Sequence, residues 1–353
     1  MSGDDDSSGW QLTESDPGVF TELLKTLGVP LIVDDLYSLD PESLAALQPL
    51  HALIFLFKYV SPSASATTAP NPSAGTPDPG FGGFFAHQTV NNACATLAVL
   101  NALGNLPLPP TATPEFAQMM SFAGPLDPAS RGYIVTSADW LRAAHNALSP
   151  PAAISLDGLG LDKGEKEDAY HFVVYVPVGD ALYELDGLKE YAVRHGGWIA
   201  PEDGGEGWLG KAREVIEARI GTYPEGAVSL SILVFMGSSN AHDPFRPPQL
   251  EFSLLALRDD PVPALQIQLQ HAQTLGEHAA AAHLLATLDA ETTKRERWAF
   301  ENSLRRHNHL GLLHALLLAL ARAQKLTPAV EGARAKGRQM REMRAKLKRG
   351  GSS

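Results

Sequence analysis

Cysteine is almost missing from this chain: its 353 residues contain one, Cys94. A single thiol excludes an internal disulfide framework and any cysteine-rich zinc module, and it suits a reducing compartment. Long apolar runs are missing too. None approaches the roughly 18 residues that a membrane-spanning helix needs. The N-terminal "MSGDDDSSGW" is acidic and polar, with neither the basic nor the apolar region of a signal peptide. The twelve histidines form no HExxH and there is no CxxC, so the sequence suggests no metal site. "EDGGEG" and "GLGLDKGEK" lack the strand–loop–helix context of a phosphate-binding loop.

What is present is an ordinary soluble balance, 44% apolar and 19% charged, in a chain long enough for one large core and a smaller appendage. Net charge is −12 but unevenly spread. From Glu331 to Gly350 eight Lys/Arg face two acids, +6, so the rest carries −18. A basic tail on an acidic body can meet nucleic acid, an acidic partner or its own body, or it can be a solvated helix face.

The apolar pattern divides the chain. In "ESDPGVFTELLKTLGV", Asp16 is placed to cap a helix that starts at Pro17. Apolar residues at 19, 20, 23, 24 and 27 follow, and Gly28 ends it. "DPESLAALQPL" repeats that design, and "HALIFLFKYV" reads as a buried strand. Residues 61–83, rich in Ser, Pro, Ala, Gly and Thr, predict a flexible surface loop. "NNACATLAVLNALGN" predicts a helix with Cys94 in its opening turns; residues 148–170 predict a second polar loop. "HFVVYVPVGDALYELDGL" is a strand pair about a Gly179-Asp180 turn. "GWLGKAREVIEARI" is an amphipathic helix and "AVSLSILVFM" a closing strand. Beyond a linker the chain is helical, and "HLGLLHALLLALARAQKL" sets Leu310, Leu313, Leu317 and Leu320 on one stripe beside Leu312 and Leu316.

A helix N-terminus lowers a thiol's pKa, one requirement for a nucleophilic Cys94. An imidazole and an orienting carboxylate or amide are the others. A lone cysteine is more often a small buried apolar residue. The hairpin adds to the case. A two-residue turn pairs Val178 with Ala181 and, counting outward, Val173 with Asp186 and His171 with Leu188. Strand alternation then puts His171 and Asp186 on one face. An ordinary surface His–Asp pair has the same pattern. Gln88, six residues before Cys94, can donate to an oxyanion with the Cys94 N–H, or it can be a loop glutamine bonded to backbone. Asn91 and Asn92 read as capping or loop-holding residues.

"ESDPGVFTELLKTLGV", "HALIFLFKY", "QTVNNACATLAVLNAL", "DAYHFVVYVPV" and "LYELDGL" together resemble the ubiquitin carboxyl-terminal hydrolase (UCH) family of cysteine peptidases over about residues 10–236. "RRHNHLGLLHALLLALARAQKLTPAVEGARAK" is similar to the C-terminal UCH37-like domain of the family's long, proteasome-associated branch. Ala95, where short members carry glycine, fits that branch. The 61–83 insert, the long linker and Gly-Asp in place of Asn-Gly depart from the family pattern.

The resemblance implies an α+β, papain-like core: a central antiparallel sheet flanked by helices on a knotted path, with a C-terminal all-helical extension. It divides the chain into a disordered 1–9, a catalytic domain 10–236, a linker 237–263, a helical domain 264–330 and a basic tail 331–353. A crossover loop over 150–170 would arch over the site and favour small or unfolded leaving groups. By this likeness Cys94 is the nucleophile, His171 the general base and acid, Asp186 its orienting group and Gln88 the oxyanion stabiliser. Glu165, Glu167 and Asp168 would attract the basic tail of the substrate, ubiquitin. No cofactor or metal is implied. The implied partner is a proteasomal ubiquitin receptor or the regulatory particle, reached through the C-terminal helices. Neither a membrane nor direct nucleic-acid binding is expected, and the implied location is cytoplasm and nucleus. The alternatives are a catalytically silent ubiquitin-binding adaptor and an unrelated papain-like peptidase. The leucine stripe can also fold back on the catalytic domain, in which case truncation after about residue 240 should change basal activity.

Overall fold

The computed structural model describes residues 8–58, 74–149, 170–221, 252–307, 310–332 and 334. Helix α1 (Pro17–Thr26) starts as the sequence dictates: Asp16 Oδ1 accepts from the Val19 N–H at 3.1 Å, and Pro17 occupies the first turn. Val19, Phe20, Leu23, Leu24 and Leu27 are all buried. Full burial of such a side chain stabilises by about 1.5–3 kcal/mol, so packing rather than propensity holds this helix. Helix α2 (Pro41–Ala46) uses the same device with Asp40.

Seven strands, β1 (Leu31–Asp35), β2 (Leu50–Lys58), β3 (Thr76–Asp78), β4 (Tyr170–Val178), β5 (Ala181–Leu185), β6 (Ala192–Gly196) and β7 (Phe252–Asp259), form one sheet in the order β1-β7-β2-β4-β5-β6-β3. Every pairing is antiparallel. Alternation along the strands makes two cores. On one face Ile54, Phe172, Val174 and Leu185 pack with α1 and with α3 (Cys94–Leu103). That side also carries α4 (Pro114–Ala123), α5 (Pro128–Ser137) and α6 (Asp139–Asn146). On the other face Phe55, Phe57, Val173 and Tyr175 pack with α2 and with α7 (Gly207–Ile220).

The structure corrects the sequence reading in three places. Residues 252–259 are not linker: they are β7, inserted between β1 and β2. "FSLLALRD" is covered on both faces and so has little alternation to mark it, and its Pro- and Asp-rich flanks imitate a loop. The expected closing strand at 227–236 lies outside the described residues. The presumed loop 61–83 contains β3, whose Asp78 accepts from the Tyr183 hydroxyl at 2.9 Å; residues 61–73 are outside the description. Gly9, expected within a disordered segment, is held in place: its carbonyl accepts from Asn146 Nδ2 at 2.7 Å, and residues 1–7 are outside the description.

Helices α8 (Pro261–Leu275) and α9 (His278–Arg306) follow β7 and pack against each other. The far half of α9 docks on the catalytic body. Trp298 is buried against Gly18, Asn302 Nδ2 donates to the Gly18 carbonyl at 2.9 Å, and Arg305 pairs with Asp16 at 3.0 Å. Lys294 pairs with Asp34 at 2.8 Å. The helix that sequence reasoning assigns to a separate domain therefore belongs to the same compact unit as the sheet, and a cut near residue 240 would remove β7 from between β1 and β2. Helix α10 (Leu310–Arg322) lies in the second unit, and its Leu312, Leu313, Leu316, Leu317 and Leu318 are exposed. Among the described residues no helix is long and apolar enough to cross a membrane.

Candidate active site

Cys94 is the first residue of α3. No side chain caps this helix, so its first-turn N–H groups and the positive end of the helix dipole lie beside the sulfur. The turn before it depends on Asn92, at φ 64°, a left-handed conformation that asparagine tolerates better than most residues. Asn92 Nδ2 donates to the Trp10 carbonyl at 3.1 Å, so it holds the loop as expected. Two residues beyond the thiol, buried Thr96 is 2.7 Å from His145 Nδ1, and the His145 Nε2 donates to the Gln11 carbonyl at 2.7 Å. These bonds strap the chain at 10–11 beneath the nucleophile loop. Burial pushes the His145 pKa down against its bond to Gln11, which keeps the ring neutral.

His171 and Asp186 come from the hairpin. Gly179 has φ 61°, which the tight turn requires at that position, and Val178 pairs with Ala181. The register runs out to Val174↔Leu185, as the two-residue turn dictates. Beyond it, His171 Nε2 donates to Asp186 Oδ1 at 2.6 Å, with both side chains buried. The Leu188 N–H donates to the same oxygen at 3.0 Å. The His171 ring stands edge-on to Phe57, directly across the β2–β4 pair, at 5.8 Å between centroids.

His171 also hydrogen-bonds the Cys94 side chain, so the thiol, imidazole and carboxylate form one chain. Burial opposes a charge on the ring. The hydrogen bonds and charges of Asp186 and Cys94 outweigh it and raise the His171 pKa from 6.5 to about 9. Near pH 7 this is an imidazolium held between two groups that favour its proton. With Nε2 committed to Asp186, Nδ1 is the ring nitrogen left for sulfur.

Gln88 is tied to the same corner through the backbone: its N–H donates to the Gly187 carbonyl at 2.8 Å. Its Oε1 is buried without a hydrogen-bond partner among the described residues. The loop before it is laced to α3. Asn101 Oδ1 accepts from the Ala86 N–H at 2.8 Å, and Asn105 Oδ1 accepts from the Phe84 N–H at 2.9 Å. Sequence reasoning missed both asparagines; their signal was two amides four positions apart, one in the last turns of a mostly apolar helix and one just past its end. It also missed Gly187, which touches Gln88. Glu165, Glu167 and Asp168, like nearly all of the expected crossover loop, lie outside the described residues. No cluster of three or more His, Cys, Asp or Glu suited to a metal occurs among the described residues.

Comparison with known proteins gives the family. The family model described as ubiquitin carboxyl-terminal hydrolase, family 1, matches residues 10–221, and a second, for ubiquitin carboxyl-terminal hydrolases, matches 281–326. This chain belongs to the ubiquitin carboxyl-terminal hydrolase family. The hydrolase is 35% identical over 334 residues to ubiquitin carboxyl-terminal hydrolase ubh-4 of Caenorhabditis elegans, covering 93% of this chain and 92% of that one. It is 32% identical to ubiquitin carboxyl-terminal hydrolase 2 of Schizosaccharomyces pombe, covering 93% and 97%. Among solved structures it resembles Trichinella spiralis UCH37 bound to ubiquitin vinyl methyl ester. The TM-score is 0.60 at 30% identity, over 82% of this chain and 99% of that one. The fold is thus the papain-like fold of this family, of the UCH37-like branch, and the enzyme is a cysteine-type ubiquitin hydrolase.

Proposed function

We propose that this hydrolase cleaves ester, amide or isopeptide bonds at the C-terminal glycine of ubiquitin, at the proteasome, with Cys94, His171, Asp186 and Gln88 as its machinery. The observation that carries the reading is the hydrogen-bonded chain Cys94–His171–Asp186 at the mouth of α3. The His171 imidazolium holds the proton given up by the thiol, and the thiolate sulfur attacks the glycine carbonyl carbon. The carbonyl oxygen becomes an oxyanion, facing donors from the Cys94 N–H and the Gln88 amide; one such donor is worth about 10²–10³ in rate. The tetrahedral adduct collapses as His171 returns its proton to the leaving nitrogen or oxygen, and a thioester remains. His171 then deprotonates a water, which hydrolyses the thioester and frees Cys94. Asp186 keeps the ring in the productive tautomer throughout.

The exposed leucines of α10 support the proteasomal part of the proposal: an apolar stripe of that breadth suits a helical partner. The test is hydrolysis of ubiquitin C-terminal aminomethylcoumarin by the wild type and by Cys94→Ala, together with binding to the purified proteasome regulatory particle. The expected result is turnover in the wild type alone, and binding that Leu313→Asp with Leu317→Asp abolishes. Equal turnover by wild type and Cys94→Ala would overturn the catalytic part, and unchanged binding by the leucine variant the docking part.

A further inference from the structure

Glu184 lies on β5 two residues before Asp186, and its side chain is 4% exposed. One buried carboxylate here serves four partners. Lys189 Nζ donates to Oε1 at 2.7 Å, and Arg219 Nη1 is 3.0 Å from the same oxygen. The Tyr175 hydroxyl donates to Oε2 at 3.2 Å, and His195 Nε2 is 3.4 Å from it. Two of these partners lead to the reacting groups.

Lys189 closes the turn that carries Asp186. Its own N–H donates to the Asp186 carbonyl at 2.9 Å, and the Leu188 N–H donates to Asp186 Oδ1. The same turn holds the Gln88 loop at two points: the Gly187 carbonyl accepts from the Gln88 N–H, and the Glu190 carbonyl accepts from His87 Nε2 at 3.0 Å. Arg219, near the end of α7, leads the other way. Its guanidinium lies 4.1 Å from the centre of the Phe57 ring, and Phe57 backs the His171 ring edge-on.

A buried ion pair is no stability device by default, because desolvation offsets much of the attraction and apolar residues of similar volume often serve as well. The place of this one gives it a different use. We propose that Glu184 is a positioning residue for the reaction. Through Lys189 it fixes the 186–190 turn, which aims Asp186 at His171 and anchors Gln88. Through Arg219 it fixes the Phe57 wall behind the His171 ring. The inference rests on the reading of Cys94, His171 and Asp186 as the catalytic set. Burial opposes the charge of Glu184, but Arg219, His195 and Lys189 hold its carboxyl well below the usual range, so the anchor stays ionised wherever the enzyme works.

Lys189 is the partner to vary, since its side chain is 39% exposed and its loss leaves Arg219 paired. Lys189→Met, Lys189→Arg and Glu184→Gln would be compared with Lys211→Met, which removes only a surface pair with Glu214. The readouts are kcat and KM on ubiquitin C-terminal aminomethylcoumarin, the pH profile of kcat/KM, and iodoacetamide alkylation, which in this chain reports Cys94 alone. Lys189→Met should lower kcat about tenfold, change KM less than twofold and move the alkaline limb of both profiles down by about one pH unit. Lys189→Arg should restore all three, and Lys211→Met should match the wild type. Glu184→Gln, where it folds, should exceed Lys189→Met in each effect. A Lys189→Met enzyme with the wild-type pH profile, whether or not its melting temperature falls, would overturn the positioning role. A wild type that neither turns over ubiquitin nor shows an activated thiol would instead overturn the catalytic reading beneath it.

Discussion

The backbone N–H of Gln88 donates to the carbonyl of Gly187, the residue that follows Asp186, at 2.8 Å. That bond joins the oxyanion side of the site to its acid–base side. A Cβ at Gly187 would stand 3.0 Å from the Gln88 nitrogen and 3.2 Å from its Cβ, close enough to push the two segments apart by a few tenths of an ångström.

Gly187→Ala should therefore reduce kcat more than it reduces stability. A loss of at least tenfold in kcat is expected with KM little changed, because poorer donor geometry acts on the transition state. Steady-state kinetics beside a denaturant melt will check this; an equal loss of kcat and folded population would assign the change to unfolding instead.

The raised pKa of His171 is also a statement about stability. The folded ring keeps its proton up to about pH 9, while in the unfolded chain it is released near 6.5. Its contribution is fully present below pH 6.5 and is lost as pH rises through about 9. His145 has the opposite sign: burial lowers its pKa, so its contribution is present above 6.5 and is lost as pH falls. Chemical denaturation at pH 6.5, 8 and 9.5 should show the stability gap between wild type and Asp186→Asn closing toward the highest pH. A gap that does not narrow contradicts the imidazolium assignment.

The docking of α9 predicts where the chain can be cut. A Cβ at Gly18 would lie 2.8 Å from Trp298 Cγ, so Gly18→Ala must displace the indole. Trp298→Ala should cost about 3–5 kcal/mol, and adding Gly18→Ala to it should cost little more, since both act on one contact. A chain ending at Arg306 should fold, whereas one ending near residue 240 should not, because it lacks β7. Thermal melts of the four proteins decide; a folded 1–240 fragment would contradict the placement of β7 between β1 and β2 in the sheet.

What the sequence could reveal followed the range of the interactions. Asp16 capping α1, Asn92 holding its loop and the Gly179 turn that aligns His171 with Asp186 are local, and local chemistry is written in neighbouring residues. β7 was hidden because its partners, β1 and β2, lie some 200 residues away and its burial on both faces erases the period-2 signal. Glu184 and Arg219 were hidden for a related reason: a charged residue on a strand or helix reads as solvated until the fold buries it. That Cys94 meets His171 came from family likeness, since no spacing rule joins a helix mouth to a strand 77 positions on.

The most direct test of the central claim is intact-mass analysis after exposure to a ubiquitin C-terminal electrophile, under reducing conditions and with the proteasomal particle present. The account predicts one ubiquitin per chain, mapped to Cys94, absent in Cys94→Ser and slowed at least tenfold in His171→Gln. An unlabelled wild type, or labelling that His171→Gln leaves at the wild-type rate, would contradict it.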